Sequence, residues 1–168
     1  MKKTCIIFLF TIIYNVAYSQ TTDSDSLKLN AIILAFQEAI LEKDSISFNL
    51  LFFDDKVPFV GIMSKETEWS IKKDYSDFEG IAVSDHHKFI TDICKTTKEQ
   101  KETFYNIEVS HDNSIASITF DYAYYSEQKM IQWGLEKWNL VKLNETWLIT
   151  NVIYSIRFPD IEPFPFGD

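Results

Sequence analysis

Trp147-Leu-Ile-Thr-Asn-Val-Ile-Tyr-Ser-Ile-Arg-Phe158 is the stretch whose reading decides the fold. Strict alternation along it puts Trp147, Ile149, Asn151, Ile153, Ser155 and Arg157 on one face. Leu148, Val152, Tyr154 and Ile156 fall on the other. A strand apolar on both faces is covered twice, which predicts a core on one side and a subunit interface on the other. It closes a series of four. Residues 102–111, 114–127 and 130–143 also read as strands, separated by the turn-forming Asp112-Asn113, by residues 126–129 and by Asn144-Glu145. In the second of these, Ala116, Ile118, Phe120, Tyr122 and Tyr124 alternate with Ser117, Thr119, Asp121, Ala123 and Tyr125.

Upstream the period changes. Leu29, Ile32, Ile33, Phe36, Ala39 and Ile40 recur at helical spacing, which predicts a helix capped by Asp25 or Ser26 and running to about Lys43. Asp44 caps a second, shorter helix to about Phe53, apolar nearly all round and therefore expected to be buried. Residues 57–63 form a short strand, and Pro58 argues that it starts at a sheet edge. Residues 64–83 are polar and charged, with a short hairpin expected near residues 67–72. Ser84 caps a third helix whose inner face carries His86, Phe89, Ile90 and Ile93. Helices followed by a long meander mean α+β.

The ends are set apart. Lys2-Lys3, the apolar residues 5–16 and Ala17-Tyr18-Ser19 form a secretory leader over residues 1–19, with cleavage expected after Ser19. The apolar run is short for a stable membrane span. Residues 20–25 are a lead-in, residues 26–158 the domain, and residues 159–168 a Pro/aromatic tail expected to be extended and to pack on the body. The formal charge of −9 becomes −11 once Lys2 and Lys3 leave with the leader. So acidic a domain is a poor partner for nucleic acid or an anionic membrane. Cys94 then stands without an intrachain partner and is expected to be buried. With four glycines and no G-x-G-x-x-G, P-loop, H-E-x-x-H, G-x-S-x-G or C-x-x-C, the sequence implies no cofactor and no metal site.

Two early helices, the second with its Asp cap and Leu-Leu-Phe-Phe run, precede a capped third helix, four long strands and a final Trp-x-Ile-x-Asn-x-Ile-x-Ser pattern. This order resembles the NTF2-like superfamily, close to its SnoaL-like and DUF4440-type members, over residues 26–158. The resemblance implies a cone: three helices packed in a strongly curved antiparallel sheet, with a pocket at the wide end and dimers formed through the sheet. It also implies a range of activities, from isomerases, dehydratases and cyclases to catalytically silent binding domains. Two departures bear on activity. Asn151 and Ile153 stand where relatives often place His, and the first helix offers Phe36 where the isomerases carry a Tyr.

Among candidate chemical groups, His87 and Asp121 could serve as a base if they face the pocket. His86-His87 is otherwise a packed helix start, and Asp121, whose strand mates are mostly polar, otherwise a solvated residue. Arg157 could clamp a carboxylate or pair with a protein acid. Phe36, Phe59, Tyr122, Trp133, Asn151 and Ile153 are the expected pocket residues. The sequence reads as an exported domain that binds a small, largely apolar ligand or a protein partner and dimerises through its sheet. The alternatives are a SnoaL-like enzyme with a His or Asp base, or a pure interaction module.

Overall fold

The structure, a computed structural model, describes residues 24–166. The leader, its cleavage site and most of the lead-in lie outside the described residues. The elements run α1 (Ser24–Glu42), α2 (Ser45–Asn49), β1 (Pro58–Met63), α3 (Lys65–Lys72), β2 (Ile81–Asp85), α4 (His86–Lys95), β3 (Gln100–His111), β4 (Ile115–Ser126), β5 (Lys129–Leu143) and β6 (Thr146–Ile156). The strands form one sheet in the order β2-β1-β6-β5-β4-β3. It curls around α1, which touches both β3 at one edge and β6 in the middle.

The architecture is the expected α+β cone, with differences in detail. The sheet is mixed, because β1 runs parallel to β6 while every other pair is antiparallel. Alternation reports which face a residue takes; it carries no information on the direction of strands distant in sequence. β1 is not an edge strand. Pro58 is tolerated as the first residue of the strand, where a missing N–H is least costly. Four helices are described where three were expected, since residues 65–72 form α3 in place of a hairpin. Ser64 caps it by accepting the Thr67 N–H.

Capping differs elsewhere too. Asp85, not Ser84, caps α4 through the Lys88 N–H at 2.8 Å. Asp25 is not a cap: it is buried inside α1, and its carboxylate accepts from Trp147 Nε1 at 3.1 Å and Lys142 Nζ at 3.0 Å. Asp44 does cap α2, accepting from the N–H groups of Ile46 and Ser47. That helix is shorter than expected and buries Phe48, while Ile46, Leu50 and Phe53 face solvent. Cys94 is exposed, its Sγ donating to the Lys43 carbonyl.

The core is aromatic. Phe36 of α1 lies 4.5 Å from the Trp138 ring and 4.9 Å from Phe48, centroid to centroid. Leu29, Ile33 and Ile40 continue the stripe against Ile118, Trp147 and Ile149. Each such side chain contributes about 1.5–3 kcal/mol by leaving water.

Of the three register shifts in the sheet, one of which leaves Ile131 of β5 unpaired, two bear on which central residues look inward. In β3 the register slips between Tyr105 and Glu108, with Asn106 at φ 51°. In β6, Asn151 pairs with Asn139 but Ile149 pairs with Leu140, so Thr150 is an extra residue. One inserted residue reverses the alternation beyond it. Trp147 and Ile149 face the core, and so do Val152 and Ile156, leaving Asn151 and Ile153 on the other face.

The tail packs on the body, through turns rather than as the extended segment expected, since the Ile161 and Glu162 N–H groups both donate to the Phe158 carbonyl. Glu162 accepts from Thr67 Oγ1 and from the Ser64 hydroxyl and pairs with Arg157 Nε at 3.4 Å. Phe164 and Phe166 pack on Tyr105.

Candidate functional site

At the wide end of the cone, α4 and the inner faces of β3, β4, β5 and β6 enclose a cavity of about 490 Å³. Its position follows from the strand phases. Glu102 of β3 is in step with Phe104, and Glu136 of β5 with Trp138 and Leu140, so both carboxyls point inward with the core. Tyr122 and Tyr124 of β4 lie on the same face between them, and Tyr154 of β6, opposite Glu136, arrives there through the Thr150 bulge. Phe36, Phe59 and Phe89 complete the walls, and Lys88 and Asp92 of α4 sit at the rim.

Glu102 and Glu136 are only 5% and 4% exposed. Burial raises the Glu102 carboxyl well above the ordinary glutamate range, and the neighbouring Glu136 raises it further. Burial likewise pushes Glu136 up, to about 8, against the pull of the Trp138 indole, which donates to Glu136 Oε1 at 2.5 Å. Like charges in one apolar site resist ionising together, so at neutral pH the pair holds a proton. Glu102 receives no hydrogen bond to its carboxyl from the described residues, although Gln37 Nε2 pins its backbone carbonyl to α1 at 3.0 Å. Most other polar groups nearby are committed. Tyr122 Oη donates to the Ser155 carbonyl at 2.9 Å, Tyr124 Oη to Gln100 Oε1 at 2.9 Å, and Gln100 Nε2 to Ser126 Oγ at 3.0 Å. Tyr154, also raised by burial, reaches about 12. Chemically the cavity can hold an apolar body, accept hydrogen bonds at its floor and exchange one proton.

Of the residues expected to line a pocket, Phe36, Phe59 and Tyr122 do. Trp133 does not. Its backbone pairs with Arg157, its indole donates to the Glu162 carbonyl at 2.7 Å, and the Arg157 guanidinium lies over its ring. Asn151 accepts from Asn139 Nδ2 on the outer face, and Ile153 lies 44% exposed beside it, both carried there by the bulge. Neither candidate base reaches the cavity. His87 stacks on His86, and Asp121 accepts from Asn106 Nδ2 on the outer face at 2.8 Å. His86 is buried against Phe52; its Nδ1 accepts from the Val57 N–H and burial lowers its pKa.

The two glutamates carry neither sequence signal of a base used above, a histidine or an acid among polar residues. The available signal was an acidic residue in step with the aromatics of its own strand. Among the described residues no three His, Cys, Asp or Glu converge as a metal set.

No protein-family model and no curated protein matches the sequence. Solved structures do match. An NTF2-like protein of unknown function from Silicibacter pomeroyi aligns at 17% identity over 82% of this chain and 99% of its own, with a TM-score of 0.55. A Streptomyces avermitilis protein proposed as a dehydratase of the NTF2-like family aligns at 12% identity over 82% and 99%, with a TM-score of 0.58. An NTF2-like protein from Cytophaga hutchinsonii aligns at 9% identity over 80% and 99%, again at 0.58. Likeness at such low identity is a likeness of fold.

Proposed function

From an NTF2-like fold as premise, we propose that this protein binds a small, largely apolar molecule in the cone cavity, with Glu102 and Glu136 as its polar anchor. The observation that carries the reading is the aromatic-walled space of about 490 Å³ with two buried carboxyls at its depth. That volume lies within the roughly 300–1,000 Å³ of small-molecule sites, as does the pattern of apolar walls and few polar groups. An open cavity favours this over a pure interaction module. The leader pattern of residues 1–19 supports export to the periplasm or beyond. The element order and the Trp147-to-Ser155 pattern favour a SnoaL-like or DUF4440-type relationship.

A second reading, catalysis, is favoured by one detail. The Glu102 carboxyl receives no hydrogen bond from the described residues, is the more strongly raised of the pair and so holds a proton beside Glu136. In an isomerase, dehydratase or cyclase, the Glu102–Glu136 pair would take the place of His87 or Asp121 in proton transfer, with Glu102 as its protonated member.

Native mass spectrometry of the full protein, with displacement of the dye 1-anilinonaphthalene-8-sulfonate by apolar compounds, tests the binding reading. A small molecule released on collisional activation, or dye displaced from wild type but not from a cavity-filling Tyr122→Trp variant, is the expected result. A ligand-free protein that retains no apolar probe would overturn it.

A further inference from the structure

Resting on that reading of the cavity, we propose that its ligand is an apolar monocation, an aromatic or alicyclic amine whose ammonium group sits between Glu102 and Glu136. The floor of the cavity has an excess of acceptors. Two carboxyls present four oxygens, and apart from the proton the pair retains, Trp138 Nε1 is their one donor from the described residues. The hydroxyls of Tyr122 and Tyr124 and the amide of Gln100 are spent on Ser155, Gln100 and Ser126, which leaves the Tyr154 hydroxyl and, further out on β5, the Gln132 amide. An ammonium group brings three donors and one positive charge, matching what the floor lacks.

The charge inventory points the same way. Facing the pair are Tyr122 and Tyr124 from β4 and Tyr154 from β6, all held neutral by burial. From α4 come Lys88 and Asp92, which pair with each other at 2.6 Å at the rim. α1, β1 and β2 contribute the uncharged Phe36, Phe59 and Ser84. Arg157 is tied to Glu162 and to Ser155 Oγ and does not line the cavity. No cation of the described chain neutralises the pair, and an anionic ligand would meet two acids. The rings of Phe36, Phe89, Tyr122 and Tyr154 supply π faces on which an organic cation is also stabilised.

The proton balance follows. Without ligand the pair retains a proton near neutral pH. An entering ammonium replaces that charge, and one proton leaves to solvent. Affinity therefore strengthens as pH rises, by up to about tenfold per pH unit while one proton is released. A neutral carbonyl or alcohol ligand, hydrogen-bonded by the protonated acid, gives the opposite slope.

Isothermal titration calorimetry of the full protein separates these cases. The probes are 1-naphthylmethylamine and its neutral counterpart 1-naphthalenemethanol, at about pH 6 and about pH 8, each in phosphate and in Tris to count protons. The amine should bind at least about tenfold tighter than the alcohol at the higher pH, tighten between the two, and release a proton. Glu102→Gln and Glu136→Gln, checked for folding by circular dichroism, should each remove the preference for the amine over the alcohol and the proton release. An alcohol that binds as well as the amine overturns the amine assignment and leaves the apolar cavity reading standing. An amine that binds the variants unchanged also overturns it. Failure of both probes to bind overturns the assignment and the cavity reading together.

Discussion

At the scale of single residues, the glutamate pair makes a prediction about stability. The native Glu136 carboxyl titrates near 8 against an ordinary value of 4.5, so the folded state holds more protons than the unfolded state between those limits. Stability must then fall as pH rises from about 4.5 towards 8, and the raised Glu102 carboxyl carries the fall further. The loss is on the order of a few kcal/mol. His86 works in the opposite sense. Its depressed pKa costs stability as pH falls below 6.5. Glu136→Gln should reduce the alkaline slope, leaving the part due to Glu102's own burial, and leave the His86 slope, raising the melting temperature above wild type near pH 8. Melts across pH 5–8.5 check this, and an unchanged alkaline slope counts against a buried ionising pair. Gly61 yields a second prediction. A Cβ there would meet the Tyr154 ring at 2.7 Å and Ile156 Cδ1 at 2.8 Å, so only glycine lets that ring lie across β1 into the cavity. Gly61→Ala should cost about 1–3 kcal/mol in urea denaturation. Neither feature was read from the chain. An acid among strand aromatics looks like any polar interruption, and the space Gly61 leaves is required by a residue nearly a hundred positions away.

Among the elements, legibility followed amphipathicity. α1 and the four long strands were readable because their apolar residues keep a clean period, and the Asp44 cap because its side chain acts locally. α3 was not readable. Thr67 is its one fully buried residue, Trp69 is 66% exposed, and no apolar stripe distinguishes the segment from a loop. The Thr150 bulge hid most. Alternation assigned Asn151 and Ile153 to the pocket, yet nothing in Ile149-Thr150-Asn151 marks an inserted residue. A paired substitution tests the phase. Val152→Ala should cost about 2 kcal/mol, since Val152 is 1% exposed, while Ile153→Ala should cost less than about 1 kcal/mol. The reverse order in chemical denaturation would restore the unbulged register. The tail is an element in its own right, although it has no regular structure. Glu162 joins Ser64, Thr67 and Arg157 around the base of α3. Truncation after Phe158 should therefore lower the melting temperature and expose Trp133 to solvent, read as a red-shifted, more quenchable emission.

For the whole molecule, the sheet has two working faces. The concave face is used up by α1, the core and the cavity. The convex face bears Ile62 of β1, Val83 of β2, Leu135 of β5 and Ile153 of β6, between 44% and 68% exposed, around an apolar groove between β1, β6 and β5. Soluble monomers rarely leave so continuous an apolar patch in water. The closing strand thus has one face in the core and one apolar face turned to solvent, with the assignment of residues to faces exchanged past the bulge. A second copy of the chain is the occupant we expect, meeting this face through the middle of the sheet. A stable dimer needs about 800 Å² from each partner, more than these side chains supply alone, so neighbouring polar residues such as Lys137 and Thr119 must join the rim. Sedimentation velocity should return a dimer for the full protein. Ile62→Lys combined with Ile153→Lys should return a monomer with an unchanged circular dichroism spectrum, because both side chains point away from the core. Retention of cavity binding by that monomer would separate the two faces functionally. A wild type that sediments as a monomer at tens of micromolar would show that the convex face is covered by some other partner or left bare.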